Sequence, residues 1–225
     1  MKRILALLAV AAAGCSSPPQ APPDEMVFET ALATQLAYDV GSVKAGDSVL
    51  YTVRVRGVAQ PDYYKWSVVG EEGSAVWIEN RRPASPNPLP MVVKSKLERT
   101  GKLLEQWIGE PGGVPAQVYP NPRRSEPPAA PRRDSTVAGV VAEEQADSLT
   151  ITGKTYACTR VTTTLTYPDG RRSTMVNWLS PEVPFPVLVA GKSRGGLVRR
   201  QIGRLTVELL TFGRDAKPEL TVPPK

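Results

Sequence analysis

The chain has 225 residues, 41% of them apolar and 22% charged, with a net charge of +6 and no histidine. That composition is globular rather than disordered, and the missing histidine removes the commonest general base, metal ligand and pH switch together. Two cysteines are too few for a disulfide-stapled scaffold, and the length suits one domain with a substantial core.

The first seventeen residues read MKRILALLAVAAAGCSS. Lys2 and Arg3 make a positive start, and residues 4–13 form an apolar run. That run is too short to span a bilayer as a helix, which takes about 20 residues. Ala12, Ala13 and Gly14 then lead directly into Cys15. On these residues the segment resembles the type II signal peptide of bacterial lipoproteins, with a lipobox ending at Cys15. Ala12 stands where that family most often carries Leu. The resemblance implies cleavage between Gly14 and Cys15, diacylglycerol on the Cys15 thiol and an acyl chain such as palmitate on its new amino group. The membrane is then a partner through that anchor. Read from composition alone, the alternative is a secretory signal cut near Ala13 with an incidental Cys15. By the same resemblance, Ser16 (not Asp) after the cysteine implies the outer membrane, facing the periplasm. The outer leaflet of the inner membrane and the cell surface are the alternatives.

Residues 1–14 are thus expected to be the signal peptide, residues 15–25 the lipidated cysteine with a tether, and residues 26–222 a single β-rich domain. Pro18, Pro19, Pro22 and Pro23 keep the tether extended. In residues 25–43, Phe28, Leu32, Leu36 and Val40 recur at helical spacing, which predicts a short amphipathic helix. From Ser48 the pattern changes period. Residues 48–56 (SVLYTVRVR) place Val49, Tyr51, Val53 and Val55 on one face, the signature of a half-buried strand. Residues 63–69 and 75–80 form a hairpin about Glu71-Glu72-Gly73. Four prolines make residues 82–90 a loop, and residues 91–97 and 103–108 are a second strand pair.

Residues 109–135 are rich in Pro, Gly and Arg without apolar periodicity, and are read as a flexible insertion. Strand signals return at 137–142, 148–152 and 155–167. Pro168-Asp169-Gly170 then predicts a hairpin turn, because Pro presets φ and Gly accepts positive φ. Residues 171–179 return, 180–186 interrupt, 191–196 are glycine-rich, and 205–212 close the domain. The tail KPELTVPPK is expected to fray. The fold class is therefore mainly β: an antiparallel, strongly curved sheet or half/open barrel of about ten strands, with at most one or two short helices.

Tyr156-Ala157-Cys158, the run from Trp178 to Pro184 (WLSPEVP), Gly195-Gly196-Leu197-Val198 and the run from Glu208 to Gly213 follow one another in order. In that order they resemble a class of uncharacterised exported bacterial lipoproteins with all-β domains. More distantly they are similar to the half-barrel of the lipoprotein-localisation carriers, whose curved sheet cups an acyl chain. The resemblance implies fold and compartment, and it brings no catalytic signature.

Gly191-Lys192-Ser193-Arg194-Gly195 matches the G-x-S-x-G spelling of a nucleophile elbow, but no histidine exists to complete the relay. Glu71-Glu72 and Glu143-Glu144 are neighbours along a chain, so each pair diverges and reads as a solvated face. Cys158 without histidine partners makes no zinc site. It is read as a buried apolar residue of a strand, against a reactive or interchain thiol. No catalytic residue, metal or cofactor is assigned, and an enzyme is the least favoured reading. Five Arg-Arg pairs are spread over loops, so nucleic acid is not an expected partner. Trp66, Trp77, Trp178 and Tyr51 are the candidate contacts for an apolar ligand; filling the core is their alternative role. The expectation is an envelope-tethered binding or structural domain, for a lipid or apolar molecule, or else a scaffold that binds another envelope protein.

Overall fold

The computed structural model describes residues 38–81, 91–120, 139–166, 170, 172–189 and 191–222. Twelve strands follow one another: β1 (Ser48–Val55), β2 (Asp62–Glu72), β3 (Ala75–Arg81), β4 (Val92–Glu98), β5 (Leu103–Gly109), β6 (Ala116–Tyr119), β7 (Gly139–Ile151), β8 (Lys154–Thr166), β9 (Arg172–Ser180), β10 (Pro186–Val189), β11 (Lys192–Ile202) and β12 (Leu205–Gly213). They make one antiparallel sheet in the order β6-β5-β4-β3-β2-β1-β12-β11-β9-β8-β7, with β10 added on β11.

Two meanders are therefore fused where the first strand meets the last. Val53 lies opposite Val207 and Tyr51 opposite Leu209, across more than 150 residues of chain. β11 is shared along its length: its end pairs with β12 through Arg199 to Ile202, and its start pairs with β10. Between those halves the register slips at Val198. This bulge turns two successive side chains, Leu197 and Val198, into the core, where neither is exposed.

One hydrophobic core spans both meanders. β1 contributes Val49, Tyr51 and Val53, the residues its alternation predicts, and β12 answers with Leu205, Val207 and Leu209. The segment between β9 and β10 folds onto the same core with Val183 and Phe185, both buried. Tyr38 bridges to Val187 and sets its ring edge-on to Trp66 and Phe185, at 5.2 and 5.5 Å.

The architecture corrects the predicted one. The sheet is open: its outer strands β6 and β7 pair only with β5 and β8, so it does not close into a strongly curved half-barrel. It has twelve strands instead of about ten, and no helix forms among the described residues. Residues 38–43 of the predicted helix make a bridge and turns instead, and the remainder of that segment lies outside the described residues. Period-two alternation looks the same in an open sheet and a closed one, because closure depends on which edges meet.

Three further details differ. The separate segments predicted at 137–142 and 148–152 are bridged by one continuous strand, β7 (Gly139–Ile151), since Glu143 to Asp147 keep the ladder with β8 despite their charge. The glycine-rich piece at 191–196 is the start of β11. Residues 116–119, inside the stretch read as an insertion, form β6.

β7 and β8 are joined by Thr152-Gly153, both at positive φ (48° and 80°). A β-branched residue is strained there, at a cost of roughly 1–2 kcal/mol. Thr152→Asn should accordingly raise stability by about 1 kcal/mol, read as a higher urea midpoint with an unchanged slope.

Candidate functional site: a charged groove under the C-terminal segment

On β2 to β5 the side chains facing away from the core are polar. Lys65 lies opposite Arg81, and Ser67 opposite Glu79. Glu79 in turn faces Lys94, and Trp77 faces Lys96. Lys94 and Lys96 face Trp107 and Glu105 on β5. Strict alternation thus gathers lysines, carboxylates and two tryptophans on one surface, while Val76 and Ile78 between them point into the core. A groove of about 480 Å³ opens there, with Glu72, Trp77, Lys94, Lys96 and Glu105 of the strands on one side and Pro218, Leu220, Thr221 and Val222 of the C-terminal segment on the other.

The polar groups compensate one another. Lys96 pairs with Glu72 at 2.7 Å, and Lys94 pairs with Glu79 at 3.2 Å, both partners of the second pair being buried. The Trp77 ring lies 5.6 and 5.4 Å from the two ammonium groups, and its indole N–H donates to Glu72 at 3.2 Å.

The C-terminal segment after β12 crosses this surface and bends at Glu219 and Leu220. The Glu79 carboxylate accepts two consecutive backbone N–H groups, from Glu219 at 2.8 Å and from Leu220 at 3.1 Å. Lys94 donates to the Leu220 carbonyl at 2.6 Å, and the Gly112 N–H donates to that of Glu219 at 3.2 Å. Lys65 and Arg81 hold the Glu219 carboxylate at 2.7 and 2.6 Å. Leu220 is fully buried against Gly109, where a Cβ would come within 3.0 Å of its side chain. Every backbone polar group of Glu219 and Leu220 is thereby matched. The tail expected to fray is docked as far as these two residues.

Burial by itself would raise the Glu219 carboxyl, but the hydrogen bonds and charges of Lys65 and Arg81 outweigh it and hold the group below its ordinary 4.5. A depressed carboxylate contributes its stability above the ordinary value, and loses it as pH falls through the folded one. The tail should therefore come loose from about pH 4.5 downward. A lower protease cleavage threshold for residues 214–225 at pH 3.5 than at pH 7, with β-sheet circular dichroism unchanged, would show this.

The candidate residues singled out in the sequence do not share one site. Tyr51 is fully buried in the core, where burial pushes its hydroxyl well above the usual range. It faces Arg200, whose guanidinium is bound to the Asn177 amide oxygen at 2.6 Å and is brought down to about 10, chiefly by burial. Trp66 packs on the same core beside Tyr38. Trp77 is on the opposite face, in the groove. Trp178 belongs to the other meander and donates its N–H to Asp147 at 2.9 Å. Gly14 and Cys15 lie outside the described residues.

Ser193 sits on the β10–β11 hairpin opposite Leu188. Cys158 is buried in β8, its thiol donating to the Tyr156 carbonyl at 3.5 Å. Burial first, then the charges of Asp147 and Glu182, push this thiol up to about 11. It should react with a disulfide reagent at pH 8 at under a tenth of the rate seen after unfolding. Among the described residues no cluster of three or more Cys, Asp or Glu side chains is placed to hold a metal ion.

Sequence reasoning missed Lys65, Glu79, Arg81, Lys94 and the pair Glu219-Leu220. The available signal was charge at period two in VKSKLE and IENR, which reads as a solvated face until something is found lying across it.

No protein-family model and no curated protein matches the chain. Among solved structures, it is similar to the crystal structure of a DUF1329 family protein from Desulfovibrio piger, at 10% sequence identity and a TM-score of 0.30. That likeness covers 87% of this chain and 94% of the other.

Proposed function

We propose that this chain is a membrane-anchored envelope lipoprotein, held through Cys15, whose β-domain is a non-enzymatic scaffold for another envelope protein. The anchor reading rests on AAGC at residues 12–15, with Ser16 favouring the outer membrane facing the periplasm. The scaffold reading rests on one observation: the outward face of β2 to β5 already holds a peptide segment by both its backbone and its side chains. A surface able to grip the chain's own tail in this way has the chemistry to grip a partner's segment. The sequence favours a lipid or apolar ligand in a cupped sheet over a scaffold, and the open sheet removes the main support of that first reading.

The test uses the full-length protein in cells. A photo-crosslinking residue at Glu72, exposed at the groove mouth, should trap a defined envelope protein. The same residue at Val58, exposed elsewhere, should not. Equal trapping at both positions, or none at Glu72, overturns the scaffold reading. Cys15→Ser should abolish incorporation of tritiated palmitate and release the protein from membranes; retained label would overturn the anchor.

A further inference from the structure

We infer that the surface beneath the C-terminal segment is a sequence-reading peptide site, specific for a bent segment carrying Glu followed by Leu, and that residues 218–222 are its resident, displaceable occupant. This rests on the scaffold reading above and specifies the chemistry of the partner. Each element of the read-out is visible. Lys65 and Arg81 from neighbouring strands converge on the carboxylate of Glu219, a two-cation clamp that a neutral side chain would not satisfy. Glu79 takes the N–H groups of both residues of the pair, and Lys94 supplies the donor for the second carbonyl. These backbone contacts fix the chain direction and the place of the pair without regard to its side chains.

Gly109 leaves the space into which the leucine side chain fits, with Pro115 along the other side of that glycine. A β-branched or larger residue at position 109 would fill the seat. The acidic side chain and the apolar side chain are thus read by separate features, which is what specificity for a two-residue pattern requires.

The occupant is joined to the sheet by only a short stretch after β12. Ala216 is pinned by its N–H to the Gly46 carbonyl. Beyond that point, described as far as Val222, the segment has no strand partner. It is held by the Glu79, Lys94, Lys65 and Arg81 side chains and by the Gly112 N–H, outside any strand ladder, so it competes as a tethered ligand at high effective concentration. A partner segment with the same pattern displaces it by matching those contacts.

The experiment uses the full chain in detergent with a fluorescent peptide of residues 214–225, RDAKPELTVPPK, read by anisotropy. The variant Glu219→Ala/Leu220→Ala should bind this peptide at least tenfold more tightly than the native chain, because the tethered competitor is gone. Peptides with Glu→Gln or Leu→Ala at the pair should bind that variant at least tenfold more weakly. No binding, or equal binding of the altered peptides, by a variant that melts cooperatively overturns the inference. If the variant does not fold, hydrogen exchange on the native chain decides. Glu219 and Leu220 amides that open while β1 and β12 stay protected support a displaceable occupant, and amides that open only with the whole sheet overturn it. Loss of peptide specificity with the Glu72 adduct intact would sink this inference and leave the scaffold reading standing. Specific peptide binding without any envelope adduct would do the reverse.

Discussion

Glu79→Ala should destabilise the protein by about 3–5 kcal/mol, the range for removing one partner of a buried ion pair. The Glu79 side chain is 4% exposed and that of Lys94 8%. Deleting the carboxylate leaves the Lys94 ammonium buried with less compensation, and it removes the acceptor that holds two tail N–H groups. Urea unfolding followed by tryptophan fluorescence measures the loss. A second prediction follows from the same geometry. Glu79→Leu combined with Lys94→Leu should recover part of the deficit, since two apolar groups bury at no electrostatic cost. The tail would still be released, because its backbone partners are gone. A stability loss under 1 kcal/mol for Glu79→Ala would mean that the pair is hydrated in solution, and that the tail is not held as described.

Gly196→Ala should cost about 3 kcal/mol or more, at the upper end of what overpacking produces. Its backbone is not in the left-handed region, so the requirement is space, not φ. A Cβ there would lie 2.3 Å from the Pro184 carbonyl oxygen and 2.4 Å from that of Val183. Both obstacles are backbone, in the segment that carries Val183 and Phe185 into the core, so no rotamer change relieves them. The Gly196 N–H also donates to the Val183 carbonyl at 3.2 Å, and that contact would be pushed apart. For a domain of this size the melting temperature should fall by roughly 6 °C or more. Gly191→Ala provides the contrast: nothing lies within 4 Å of its would-be Cβ, and only its positive φ of 76° opposes the change. A melting temperature for Gly196→Ala within 2 °C of the native value would refute this account of how β11 meets the preceding loop.

The two predictions mark the two ways a residue acquires importance in this fold. Gly196 was visible as part of a glycine-rich piece, but that composition suggests a turn; the structure shows a strand start with glycine forced by a loop lying across it. Glu79 was one charge among many on a predicted strand. Its role comes from a segment 140 residues later in the chain, beyond the reach of any local pattern.

What the residue order determined by itself is the period-two backbone of the domain. Val49, Tyr51 and Val53 face the core, and Cys158 and Val161 are buried in the longest predicted strand, although its core side also takes Tyr156 and leaves Ala157 exposed. Turns and strand alternation depend on neighbours a few residues apart, so sequence carries them directly. The MKRILALLAVAAAGC segment is read without any fold, and Cys15→Ser is what tests that reading. Only the tertiary structure decided that the first and last strands pair, that the sheet stays open between β6 and β7, and that β11 divides its edge between β10 and β12. It also decided that the tail lies across Glu79, Lys94, Lys65 and Arg81 instead of fraying. The pairing of first and last strands and the docking of the tail cross more than a hundred residues, and the free energy that selects them is summed over the assembled surfaces, not written in any one stretch of chain.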